Sequence, residues 1–150
     1  MKKIVIATDG SPASMEAVAF GLELAAEHDA QALFVHVVPS VDIIPMSGFG
    51  MAGGVAHYVT EADRASLEDA AALADAHGVH SSTAILRGSE AADEIVAYAD
   101  NVDADMIVVG SRGHGALTSA LIGSVSRAVL SESKRPVVIV RGVAHAAVAA

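Results

Sequence analysis

Short continuous apolar runs alternate along the chain with stretches whose apolar residues recur every three or four positions. Ile4-Val5-Ile6-Ala7-Thr8 is one such run, with the length and β-branched character of a strand covered on both faces. Asp9-Gly10-Ser11-Pro12 ends it, and Ser11 followed by Pro12 fits a helix N-cap and first helical position. Met15, Val18, Ala19, Leu22 and Ala25 or Ala26 then mark the apolar face of a first helix. Further strands are expected at Ala32–Val38, at Ser82–Leu86 with a weaker pattern, at Met106–Val109 and at Pro136–Val140. Helices are expected from Thr60 to His77 with Thr60 as cap and Gly78 as stop, from Ser89 onward, and from Ser124 to Ser131.

The order β-α-β-α-β-α-β-α-β predicts one α/β domain over residues 1–150. It is a doubly wound, five-stranded parallel sheet with helices on both faces. Periodicity leaves two strand orders open, 3-2-1-4-5 and 2-1-3-4-5. Residues 39–59, with Gly48, Gly50, Gly53 and Gly54, break the rhythm and are expected to form a flexible loop. Residues 142–150 read as a short C-terminal tail.

Composition narrows the function classes. Apolar residues make up 53% of the chain and aromatic ones 3%, so the core must be built from small and β-branched side chains. A net charge of −9 opposes binding to nucleic acid or to anionic membranes. The absence of cysteine excludes disulfides, thiolate catalysis and Cys-based metal sites. No apolar run is long enough to span a bilayer, and a cytoplasmic protein without membrane insertion is expected.

Candidate chemistry concentrates in Gly110-Ser111-Arg112-Gly113-His114-Gly115 and, after Ala116–Ile122, in Gly123-Ser124. Glycines let backbone N–H groups approach an anion, and a helix N-terminus adds unpaired donors and a positive dipole end. Ser124 and Ser126 offer hydroxyls, and Arg112 and His114 offer charge. On spacing alone, a phosphate cradle and an ordinary strand-to-helix turn are both open. The segment lacks the Walker pattern, and the turn after the first strand lacks G-x-G-x-x-G. The seven histidines are scattered without ligand spacing. His36 reads as a packed histidine, and Asp100, Asp103 and Asp105 read as solvated loop charge.

Gly110, Gly113, Gly123 and Ser124 match every fixed position of G-x2-G-x9-G-[ST]. Ile4–Ser11, Val35–Val38 and Pro136–Val140 resemble the first, second and last strands of the same family. The chain resembles the universal stress protein family in its ATP-binding branch, over residues 3 to 141. The resemblance implies strand order 3-2-1-4-5. It implies Ala7, Thr8 and Asp9 at the adenosine end of a nucleotide, Val37 offering backbone to adenine, and Val109 and Gly110 near ribose and phosphates. It places Gly113, Gly123, Ser124, Val125 and Ser126 on the phosphate chain, beside Arg112 and His114, with ATP, ADP or AMP bound together with Mg²⁺. It also implies a homodimer paired through strand 136–141, and a nucleotide-dependent regulator or sensor of a transporter, kinase or other signalling partner. The alternative is a slow Mg²⁺-dependent ATP hydrolase or nucleotidyl-transfer enzyme acting through Asp9. No general base or arginine finger is evident for rapid hydrolysis.

Overall fold

A computed structural model describes residues 1–40, 59–111 and 122–142. The elements run β1 (Lys3–Ala7), α1 (Pro12–His28), β2 (Gln31–Pro39), α2 (Glu61–Ala76), β3 (Ser81–Gly88), α3 (Ala91–Asn101), β4 (Met106–Gly110), α4 (Ser124–Glu132) and β5 (Val137–Val140). The five strands form one parallel sheet in the order β3-β2-β1-β4-β5. Pairing of β1 with both β2 and β4 selects between the two orders that periodicity left open.

The apolar runs form strands because both faces of the sheet are covered. Ile4, Ile6, Ala32, Phe34 and Val108 face α1 and α2, while Val5, Leu33, Val35, Ile107 and Val109 face α3 and α4. Small side chains bring the helices close to the sheet. Ala17, Val18, Leu22 and Ala25 of α1 are buried, and a Cβ on Gly21 would stand 2.5 Å from the Ile6 Cδ1. Gly21 is thus a close-approach position where α1 crosses β1.

Helix boundaries follow local chemistry. Ser11 caps α1 by accepting from the Ser14 N–H at 3.2 Å, with Pro12 opening the helix. Thr60 and Asp63 form a reciprocal capping box at the start of α2, and Gly78 leaves that helix with φ of +67°. Several boundaries differ from the sequence expectation. β3 is longer than Ser82–Leu86, because it lies at the sheet edge and is half-exposed, which weakens its apolar pattern. α3 starts at Ala91 rather than Ser89, since Gly88 is still held in the sheet, its carbonyl accepting from the Ser40 N–H at 3.1 Å. Pro39 belongs to β2 rather than to the connection that follows; residues 41–58 of that expected loop, and 143–150 of the tail, lie outside the described residues.

The aspartates before β4 are bonded rather than simply solvated. Arg135 donates to Asp100 at 3.0 Å, to Asp103 at 3.3 Å and to the Ala104 carbonyl. Asp105 accepts from the Lys2 and Lys3 amides at 2.6 and 2.9 Å, and these bonds lower its pKa. Both contacts tie the edge of the sheet that carries the N-terminal ends of its strands, opposite the glycine-rich edge.

Candidate functional site

In an open parallel sheet the chain leaves neighbouring strands in opposite directions at one point, and a crevice opens there beyond the strand C-termini. Here that point lies between β1 and β4, whose neighbours are β2 and β5. Pairing of Ile6 with Val108 brings the strand ends, Ala7 and Gly110, to the same sheet edge.

On the β1 side the lip is Thr8-Asp9-Gly10. The Thr8 hydroxyl lies 3.1 Å from that of Ser14 and accepts from the Gly10 N–H at 3.2 Å. Asp9 accepts from the Ser11 N–H at 2.9 Å through one carboxylate oxygen, an Asx-type turn. The carboxylate therefore serves the turn. Gly10 turns the lip with φ of +78°.

On the β4 side, the Val109 side chain is buried in the α3–α4 core. The buried Ser111 donates its N–H to the Val140 carbonyl at 2.8 Å. Its own carbonyl accepts from the Gly123 N–H at 2.6 Å. That bond joins the two flanks of the G-x2-G-x9-G segment, so the end of β4 and the start of α4 meet. The Ser126 hydroxyl donates to the Gly110 carbonyl, a second tie between strand and helix. Ser126 thus braces the site in this structure, a role that the phosphate assignment did not include.

Gly123 is the N-cap of α4; the first turn carries no acid, and among the described residues no side chain caps this helix. The backbone N–H groups of Ser124, Val125 and Ser126 belong to the first turn, where helical donors lack intrahelical acceptors. This is the arrangement a helix offers to an anion. Val37 is half-buried on β2 and lies past the Ala7–Val35 pairing, at the same sheet edge as the crevice. The structure thus brings Ala7, Thr8, Asp9, Val37, Val109, Gly110, Gly123, Ser124, Val125 and Ser126 to one edge. Arg112, Gly113 and His114 lie outside the described residues. An open groove of about 420 Å³ between α2 and β3, lined by Arg64, Leu67, Thr83 and Ile85 among others, is separate from this crevice.

One residue beside the crevice was not foreseen as part of it. His36 is buried as expected, but its Nδ1 is 2.9 Å from the Thr8 carbonyl oxygen and its Nε2 is 2.7 Å from Asp63. The weak signal for it was a histidine in a strand of valines, since a buried polar ring needs partners.

Comparison with known proteins places these features in a family. The universal stress protein family profile matches residues 1–141. A universal stress protein of Methanocaldococcus jannaschii is 35% identical over 143 residues, which covers 93% of this chain and 82% of that one. A universal stress protein crystallised in complex with cAMP is 28% identical, with a TM-score of 0.69 over 93% of this chain and 96% of that one. The universal stress protein from Archaeoglobus fulgidus in complex with dAMP is 26% identical, with a TM-score of 0.66 over 93% of this chain and 97% of that one. The chain belongs to the universal stress protein family.

Proposed function

We propose that the chain binds ATP in the crevice between β1 and β4 and acts as a nucleotide-dependent regulator or sensor in the stress response. The observation that carries this reading is the N-terminus of α4, which starts at Gly123 with no side-chain cap among the described residues and is tied back to the end of β4. A phosphate chain there meets backbone donors and a positive dipole end. In a chain of net charge −9, such local donors must hold an anion against the overall field. The complexes of relatives with cAMP and dAMP support an adenine nucleotide as the ligand.

In this reading Ala7, Thr8 and Asp9 hold the adenosine end and Val37 offers backbone to the base. Val109 and Gly110 lie by the ribose, and Gly123, Ser124 and Val125 receive phosphates together with Arg112, Gly113 and His114. Aromatic side chains are only 3% of the chain, so the base is held by backbone and aliphatic contacts. Among the described residues no trio of His, Asp or Glu is grouped to hold a metal. Mg²⁺ therefore enters this reading with the phosphates it neutralises. The same reading has the protein cytoplasmic and dimeric through β5, acting on a transporter or signalling protein.

Mass spectrometry of nucleotide copurifying with the chain, followed by calorimetric titration with ATP, tests the ligand. Gly123→Asp tests the site. Aspartate is a good N-cap, so stability is expected to change by no more than a few tenths of a kcal/mol. Its carboxylate would oppose the phosphates, and ATP affinity is expected to fall at least about tenfold. Unchanged affinity would remove the α4 N-terminus from the site. Mg²⁺-dependent multiple turnover well above about one per minute would replace the regulator with a hydrolase.

A further inference from the structure

His36 stands between two groups that accept hydrogen bonds and donate none. One is the Thr8 backbone carbonyl, 2.9 Å from Nδ1. The other is the Asp63 carboxylate, 2.7 Å from Nε2. Asp63 is kept ionised by its capping bond from the Thr60 backbone and then by His36, which together hold its pKa down to about 2. An imidazole with one proton has one donor and one lone pair, so it satisfies one of these acceptors and turns a lone pair toward the other. Only the ring with two protons donates to both.

Among the described residues, these two partners are the groups bonded to the ring. α2 presents Asp63, and the adjacent Arg64 is turned to Glu61 at the surface, 3.3 Å away. β3 places the apolar Ile85 beside His36 in register. β1 presents the Thr8 carbonyl, and the next carboxylate, Asp9, is turned onto the Ser11 amide. The other polar groups of Thr8 are engaged elsewhere, its N–H with the Val35 carbonyl and its hydroxyl with Ser14.

We propose that His36 is a positioning residue that works as a proton-dependent latch on the crevice. With two ring protons it ties the Thr8 carbonyl, on the β1 lip, to Asp63 at the start of α2. With one proton it holds only one side, and the lip loosens from the helix. The coupling to ligand rests on the nucleotide reading above; the state of the ring does not. The direction is fixed by the chemistry. Lower pH closes the latch, and rising pH opens it.

Two measurements test the latch. Nitrogen-15 NMR of the His36 ring, followed from about pH 5 to about pH 8, reads its protons directly. Two ring protons are expected at the acid end and one at the alkaline end. A proton count that stays the same across the range overturns the latch. Calorimetry with ATP is then run over the same range on the wild type, His36→Gln and Asp63→Asn. The wild-type affinity relative to His36→Gln is expected to fall about fivefold as pH rises, since ATP's own titration cancels in the ratio.

In Asp63→Asn, the amide oxygen can accept from Thr60 while its NH₂ donates to an unprotonated Nε2. The bridge then needs no second proton, so binding is expected to persist with the same pH profile as His36→Gln. A purely structural histidine would leave the wild-type to His36→Gln ratio constant with pH, and that result refutes the latch. If ATP binds at no pH, the proposed function falls, and the ring spectra alone decide the latch.

Discussion

Gly10 turns the chain out of β1 with φ of +78°, and a Cβ built there would stand 3.1 Å from the Ser66 Cβ of α2. Both constraints act on the lip of the crevice, because the Gly10 N–H donates to the Thr8 hydroxyl. Gly10→Ala is therefore expected to cost about 1–2 kcal/mol from the left-handed backbone alone. Urea denaturation measures it, and a change within about 0.5 kcal/mol, the range of indifferent surface substitutions, would show the turn to be unconstrained. Residues that act within a few positions were legible in the sequence: the Ser11 cap, Pro12 and the Gly78 stop all work on their own segment. His36 and Asp63 lie 27 residues apart, and Arg135 lies 35 and 32 residues from Asp100 and Asp103. Side-chain partners at that separation leave no periodic trace, so His36 read as packing and the aspartates as loop charge.

At the scale of elements, a strand buried on both faces writes itself as an apolar run, and β1, β2 and β4 were found almost to the residue. β3 was shortened because one of its edges is open and several of its side chains meet water. α2 shows how an element boundary becomes a pH-dependent contact. Asp63 accepts from the Thr60 N–H at 2.7 Å and from His36, and its pKa is lowered from 3.8 to about 2. A carboxylate with a lowered pKa contributes stability above its unfolded value of about 3.9 and loses it as pH falls through the folded value. Asp63→Asn is thus expected to be less stable than the wild type above about pH 4. The gap should close as pH approaches about 2. Thermal melts of both proteins across that range check the prediction, and a gap independent of pH would mean that the carboxylate's charge contributes nothing to the cap.

At the scale of the whole molecule, the sheet order sets which surfaces are left for a partner. β5 ends the sheet, and its four residues are all half-buried and apolar. In a parallel pair, alternate residues turn both backbone groups toward the neighbour. The Pro136 and Val140 carbonyls accept from Ile107 of β4 and from Ser111 just beyond it, so Val137 and Ile139 turn their N–H and C=O groups to the open edge. Among the described residues this apolar edge has no further strand beside it, and such an edge invites one. A second copy running antiparallel would place the Ile139 N–H in the new ladder. If the proposed dimer forms this way, light scattering should give twice 15.1 kDa for the wild type. Ile139→Pro removes that outward donor without removing a β4–β5 bond, and edge strands tolerate proline. The Ile139 side chain packs against the α3–α4 core, so its loss also costs some stability, and circular dichroism must first show the fold intact. Val138→Asp would be the poorer choice, because Val138 packs on the α1 side of the core and a charge there would strike the fold itself. A folded Ile139→Pro protein that scatters as a monomer places the interface on this edge. A folded dimer of unchanged affinity would move the interface to another surface.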